Sequence, residues 1–187
     1  MIPWSIRQTA RRLKAGGIVA YPTETVYGLG CDPLDPGAVE RLLHLKQRPM
    51  AKGLILIGAE PAQLRPYLDL SDPDLLRKLE QPCTPPTSWI VPAADTTPVW
   101  LTGHHTSLAV RLTPHPVARA LCLAFGGAIV STSANPAGLP PARSALQVRR
   151  YFNGQIDALL HGDIPADARP SQIRHIVTDA ILRSGNS

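Results

Sequence analysis

Tyr21-Pro22-Thr23-Glu24-Thr25-Val26-Tyr27-Gly28-Leu29-Gly30 follows the apolar run Ile18-Val19-Ala20. A short, unbroken apolar run is the pattern of a strand buried inside a sheet. The stretch therefore reads as a strand end breaking into a loop, and a loop must find partners for its own N–H and C=O groups. Here it carries the hydroxyls of Thr23, Thr25 and Tyr27, the carboxylate of Glu24, and two glycines. Glycine admits positive φ or lets a ligand come close, and hydroxyls beside a strand end suit a small polar ligand. The same residue types also dominate plain turns. Taken alone, the stretch leaves both readings open.

Upstream, Ile6, Ala10 and Leu13 fall at helical spacing among Arg7, Arg11, Arg12 and Lys14, which predicts an amphipathic helix over 5–15 ended by Gly16-Gly17. Downstream, Asp35-Pro36 is a helix start, a capping side chain followed by a proline whose missing N–H costs nothing there. The helix is expected to run to about Lys46. Lys46, Arg48 and Lys52 then crowd the approach to Leu54-Ile55-Leu56-Ile57, another buried strand. These cations either complement the helix C-terminus or hold a polyphosphate. Two short helices are expected over 60–81, the second capped by Ser71 with Asp74. A stiff loop over 82–88, a strand at Trp89-Ile90-Val91 and a strand at Ser107–Leu112 follow. Arg111 interrupts that last apolar run. A buried guanidinium needs an anion, so its partner is a structural carboxylate or a ligand.

A helix over 114–125 and a strand at Ala128-Ile129-Val130 come next. The strand ends in Ser131-Thr132-Ser133-Ala134-Asn135, which repeats the logic of the opening stretch. Two such strand ends suggest one shared crevice. A helix over 144–151 and strands over 156–160 and 173–177 complete the order. Alternating strands and helices give an α/β class, with uneven strand spacing pointing to a mixed sheet.

The 187 residues suit a single domain, taken as 7–187 with 1–6 as a lead-in. No apolar run approaches the roughly 20 residues of a membrane span, and no secretory leader pattern is present, so a cytoplasmic protein is expected. Three scattered cysteines and the adjacent His104-His105 offer no metal-ligand spacing. The net charge of +5 favours anionic partners such as nucleotides or RNA. The 20 prolines are spread along the chain and read as rigid turns. Neither a dinucleotide fingerprint nor a Walker loop occurs, and no nucleophile elbow.

Four segments in order, the Pro22–Gly30 stretch, Lys46-x-Arg48 with Lys52, the strand ending at Arg111, and Ser133-x-Asn135, resemble the YrdC-like family, the L-threonylcarbamoyladenylate synthases of tRNA modification. The likeness runs from about Arg7 to the last strand. It implies a single-domain twisted mixed sheet with flanking helices around a basic concave cavity. It implies an ATP-dependent nucleotidyl transfer in which L-threonine, bicarbonate (or CO2) and ATP give threonylcarbamoyl-AMP and pyrophosphate, with Mg2+ accompanying ATP. Lys46 and Arg48 would be catalytic, and Lys46, Arg48, Lys52, Ser107 and Asn135 would bind ATP. Thr23, Thr25, Arg111, Ser133 and Ser171 would bind L-threonine. No protein side chain is assigned to a metal. The product would serve tRNAs reading codons that begin with A, through a separate bacterial threonylcarbamoyl transferase complex, and tRNA itself is a further partner.

Two segments depart from the family pattern. Cys83-Thr-Pro-Pro-Thr-Ser88 replaces a Trp-Pro-Gly-Pro-x-Thr segment, and Pro165-Ala-Asp-Ala-Arg-Pro-Ser171 replaces a glycine-rich one. A binder of tRNA or double-stranded RNA without catalysis is the competing reading. It would use the charge, but it leaves Arg111 and the Thr-rich stretch unexplained, and aromatic platforms are few at 5%. A carbamoyl-transfer domain, like the related one in hydrogenase-maturation proteins, is a third and belongs to longer chains.

Overall fold

The computed structural model describes residues 2–168 and 170–184. Arg169 and the expected domain end at 187 lie outside the described residues. One mixed sheet dominates, with strands β1 (Val19–Pro22), β2 (Tyr27–Gly30), β3 (Ile55–Gly58), β4 (Thr87–Pro92), β5 (Ser107–Leu112), β6 (Ile129–Ser133), β7 (Ala158–Leu159), β8 (Gln172–His175) and β9 (Ile181–Arg183). Their spatial order is β7-β1-β2-β6-β3-β5-β4-β8-β9. Three pairs are parallel (β1–β7, β3–β5, β4–β8), and the other five are antiparallel. The helices are α1 (Trp4–Lys14), α2 (Pro36–Leu45), α3 (Pro61–Leu64), α4 (Pro73–Glu80), α5 (Val99–Thr102), α6 (Pro116–Phe125) and α7 (Ala145–Phe152).

Local chemistry sets the helix ends. Asp35 Oδ1 accepts from Ala38 N at 3.0 Å, and Pro36 occupies the first turn of α2. The cap of α4 is Asp72, accepting from Asp74 N at 2.8 Å, and not the expected Ser71. The sequence offers both, and Asp72 wins because Pro73 follows it at the first helical position. His115 Nδ1 caps α6, and Gly126 ends it at φ 90°. Residues 4–6 form the first turn of α1, and Ile6 alone of them is buried, in the cluster it shares with α6.

The opening stretch is not a loop after a strand. It is a hairpin, with Thr23–Val26 as the turn and Tyr27–Gly30 as a second strand paired to both β1 and β6. Thr23 builds the turn. Its hydroxyl donates to Val26 O at 2.7 Å and accepts from the N–H groups of Thr25 and Val26. The two glycines make room for Tyr21, whose ring lies across them. A Cβ on Gly28 would stand 3.2 Å from that ring, and one on Gly30 would stand 2.4 Å from Val130 O. Close packing inside the sheet, not left-handed backbone, is what requires glycine at position 30. The strand β9 was likewise not anticipated, and the strand expected over 156–160 shrinks to two residues.

Side chains alternate between the two sheet faces. One face is covered along its length by α2, α4 and α7, which bury Leu42, Leu79 and Phe152 against Leu56, Val110 and Val130. On the other face α1 and α6 cover Val19, Tyr21, Ile57 and Ile129. That cover stops part-way. Ile55 and Ser131, two residues from Ile57 and Ile129 and therefore on the same face, lie against an open hollow, with Ala109 in register beside Ile55 and Arg111 beside Ile57. Half of one sheet face is thus left as the floor of a cavity.

Gly30→Ala should lower stability by about 1–3 kcal/mol, the cost of forcing an atom into a filled site. A urea titration followed by circular dichroism checks this, and an unchanged midpoint would show that the hairpin has slack.

Candidate functional site

The cavity encloses about 700 Å3 and is floored by β3, β5 and β6. The turn of the opening hairpin forms one wall and the β8–β9 hairpin another. Its charged lining is Arg48, Lys52, Arg111 and Arg183, with His105 and His175. No carboxylate is among its described lining residues. The volume suits ligands of the size small-molecule sites hold, roughly 300–1,000 Å3.

Of the residues expected to form the site, Thr23, Thr25, Arg48, Lys52, Ser107, Arg111, Ser133 and Ser171 all line this cavity. Lys46 and Asn135 do not. They meet each other beneath it. Lys46 Nζ donates to Ser133 O at 2.6 Å, to Asn135 Oδ1 at 2.8 Å and to Asn135 O. Asn135 Oδ1 also accepts from Ser133 Oγ at 2.6 Å, and its Nδ2 donates to Leu139 O at 2.6 Å. Burial, and then the neighbouring charge of Arg48, push the Lys46 ammonium down to about 8. At neutral pH it is still mainly protonated and keeps its bonds. In this structure Lys46 ties the end of α2 to the loop after β6.

Arg48 is half-buried, and burial lowers its pKa. Its Nη2 donates to Gly53 O at 2.9 Å and its Nε to the same oxygen at 3.3 Å. That grip curls the 3-10 turn Met50–Lys52 and holds the exposed Lys52 at the cavity rim. Lys52 forms no ion pair among the described residues.

At the other end of β5, Arg111 is buried, and the carboxylate of Glu24 lies against it with Oε1 3.0 Å from Nε. This is an ion contact, since neither atom makes a directed hydrogen bond. Glu24 Oε2 accepts from Thr113 Oγ1 at 2.8 Å. The question posed by a cation in an apolar strand thus has a structural answer, a carboxylate from the opening hairpin. No described residue accepts a hydrogen bond from the Arg111 guanidinium, and Arg111 lines the cavity. Thr25 Oγ1 lies 3.1 Å from Thr23 Oγ1, and both threonines are buried at the wall. Ser171 Oγ lies 3.3 Å from Ser88 Oγ, so Ser88, the residue in the altered 83–88 segment, supports the wall from β4.

Ser107 and Arg111 stand at opposite ends of β5. Four residues at about 3.3 Å each separate them by about 13 Å. The arrangement is therefore two-ended. Unpaired cations and Ser107 lie at the β3 and β5 starts, and a carboxylate-paired arginine with hydroxyls lies at their ends. The first end can neutralise a polyanion. The second can hold a carboxylate beside hydroxyl groups.

Sequence reasoning missed His105, His175 and Arg183. Arg183 Nη2 donates to Ser171 O at 2.9 Å, and burial, then the charge of Arg111, lower its pKa. It sits on β9, a three-residue strand whose local pattern carries no periodicity to read. Glu24 was noticed as a loop carboxylate but given no role. Among the described residues no group of His, Cys, Asp and Glu could hold a metal ion, and no helix is long and apolar enough to cross a membrane.

Comparison with known proteins gives one picture. The model of the Sua5/YciO/YrdC family, described as telomere recombination, matches residues 11–185. The chain is 53% identical over 182 residues to a threonylcarbamoyl-AMP synthase of Alkalilimnicola ehrlichii, covering 96% of this chain and 95% of that one. It is 48% identical over 187 residues to the protein of the same name in Cellvibrio japonicus, covering 98% and 99%. Among solved structures, P. abyssi Sua5 complexed with L-threonine superposes with a TM-score of 0.83 at 31% identity. The match covers 92% of this chain and 51% of that one, so the chain spans about half of that longer protein.

Lys46→Met should lower stability by about 1–3 kcal/mol, because it removes the charged donor shared by Ser133 O, Asn135 O and Asn135 Oδ1. Thermal melting checks this. A melting temperature equal to wild type would show that the loop after β6 does not depend on Lys46.

Proposed function

The chain belongs to the Sua5/YciO/YrdC family, and we propose that its cavity condenses L-threonine, bicarbonate (or CO2) and ATP into threonylcarbamoyl-AMP, releasing pyrophosphate. The single observation that carries the reading is the two-ended cavity, with unpaired Arg48 and Lys52 at one end and paired Arg111 among hydroxyls at the other. A reaction between an amino acid and a triphosphate needs both ends in one enclosure.

The threonine carboxylate meets the terminal nitrogens of Arg111, with Thr23, Thr25 and Ser171 around the rest of the amino acid. The amine nitrogen bonds to the carbon of bicarbonate, and water leaves, giving a carbamate. A carbamate oxygen then bonds to the α-phosphorus of ATP. The bond from that phosphorus to the bridging oxygen breaks, and pyrophosphate leaves with the electron pair. Holding the partners in line supplies much of the acceleration in such a step, and spreading the phosphate charge supplies more. Arg48 and Lys52 do the second task, with Ser107 beside the nucleotide. Lys46, Ser133 and Asn135 act together. The ammonium shapes the loop after β6, and Ser133 presents its edge where the two substrates meet.

Mg2+ fits as a companion of the triphosphate. It binds phosphate oxygens and keeps several waters, and the described lining offers it no carboxylate. The product is an activated threonylcarbamoyl group. It would pass to a transferase acting on the adenosine beside the anticodon of tRNA, in the cytoplasm.

Pyrophosphate release should depend on both L-threonine and bicarbonate, and L-serine should replace threonine poorly. Release indifferent to threonine would sink the reading. Arg48→Ala should raise the KM for ATP about tenfold or more, as expected when a charge-assisted phosphate contact is lost, with a smaller effect on threonine. A variant that unfolds would instead make Arg48 a structural residue.

A further inference from the structure

Glu24 has no task in the condensation just described, yet its placement is unusually constrained. The Thr23 turn fixes the backbone on either side of it. Its two oxygens are spent on residues two apart on one face of the same strand end, Oε1 on Arg111 at 3.0 Å and Oε2 on Thr113 at 2.8 Å. The Glu24 side chain is 11% exposed and that of Arg111 is 8% exposed, so water screens the pair weakly. Nearby stands a second guanidinium, that of Arg183, which feels the charge of Arg111 and is anchored on Ser171 O. A pair of neighbouring guanidinium groups suits a phosphate group. No carboxylate other than Glu24 reaches either of them among the described ion pairs.

We propose that Glu24 is a specificity-determining residue: by neutralising Arg111 it keeps this end of the cavity selective for a zwitterionic amino acid and closed to phosphate dianions. The proposal rests on the assignment of L-threonine to Arg111. With Glu24 in place, this end carries the single net charge of Arg183. A threonine zwitterion adds no net charge there, and its single carboxylate charge faces the guanidinium groups. A phosphate dianion meets a buried carboxylate, and such like-charge opposition is how binding sites reject wrong partners. Glu24 lies against the Nε side of Arg111, which leaves its terminal nitrogens for a ligand. The two ends of the cavity then differ in charge type. Inorganic phosphate or the triphosphate tail is held at Arg48 and Lys52 and does not invade the amino-acid end.

The test is calorimetric titration of L-threonine into wild type and Glu24→Gln, each with and without excess inorganic phosphate. Phosphate should change the threonine affinity of wild type less than about twofold. It should weaken that of Glu24→Gln about tenfold, because the repulsive element is gone. Glu24→Asp, whose carboxylate is withdrawn by one methylene, should show the same competition more weakly, and it carries the test if Glu24→Gln does not fold by circular dichroism. Threonine binding that ignores phosphate in the folded variant overturns the inference alone. Wild-type protein that binds no L-threonine overturns the underlying assignment and the inference with it.

Discussion

A buried ammonium joins the two halves of this site. Lys46 stands at the C-terminal end of α2, and Ser133 and Asn135 follow β6, almost ninety positions later in the chain. An ammonium taken out of water is costly unless its donors are all met. Here three oxygens meet them, the main-chain carbonyls of Ser133 and Asn135 and the Asn135 side-chain amide oxygen. The ammonium cannot be buried there without these acceptors, so its burial and the contact go together. Once it forms, the loop after β6 and the turn carrying Arg48 and Lys52 are parts of one body. The cavity-lining cations are then positioned by a residue that does not itself line the cavity.

The sheet supplies the other half of the arrangement. Covering both faces fully would bury more apolar area, and each Å2 so buried is worth about 25 cal/mol. The chain forgoes this on the half-face over β3, β5 and the end of β6. It fills the gap with groups that tolerate water and demand anions. The apolar floor that remains, Ile55, Ile90 and Ala109, is small enough to be covered by a bound ligand. Packing therefore decides where the cavity is, and electrostatics decides what enters which end.

Most of this was legible in the residues because the signals are local. Asp35-Pro36 announces a helix start wherever it occurs, and Arg111 within an apolar run announces a buried charge. What was not legible depends on partners far away in sequence. Tyr27–Gly30 looks like a turn because its glycines and hydroxyls are turn residues. It is a strand because Tyr21 lies over the glycines and β6 pairs along its other edge. Whether Arg111 faces a protein carboxylate or a ligand could not be read from 107–112, since the answer lies in Glu24. Arg183 was silent because a short edge strand has no period to detect. The motif residues reached the right region as a set, but their division into cavity lining and support beneath it needed the structure.

The two segments that depart from the family pattern show how a wall can be kept with different residues. Ser88 stands where threonine is usual, and it still brings a hydroxyl to 3.3 Å from Ser171. The methyl group is lost and the contact between walls is kept. In the other segment, glycines that would let the backbone turn freely are absent from the described residues of 165–171. Arg143 holds this segment instead. Its guanidinium donates to the carbonyls of Pro165, Ala166 and Ala168 at 2.8, 3.1 and 2.9 Å. A planar group with donors in a fixed fork can gather several carbonyls at once. The curl that glycine would permit is here imposed by a side chain, and Pro170 and Ser171 reach the cavity through it. Arg143 itself belongs to the stretch that starts at Ser133, so the loop secured by Lys46 also secures the wall that carries Ser171.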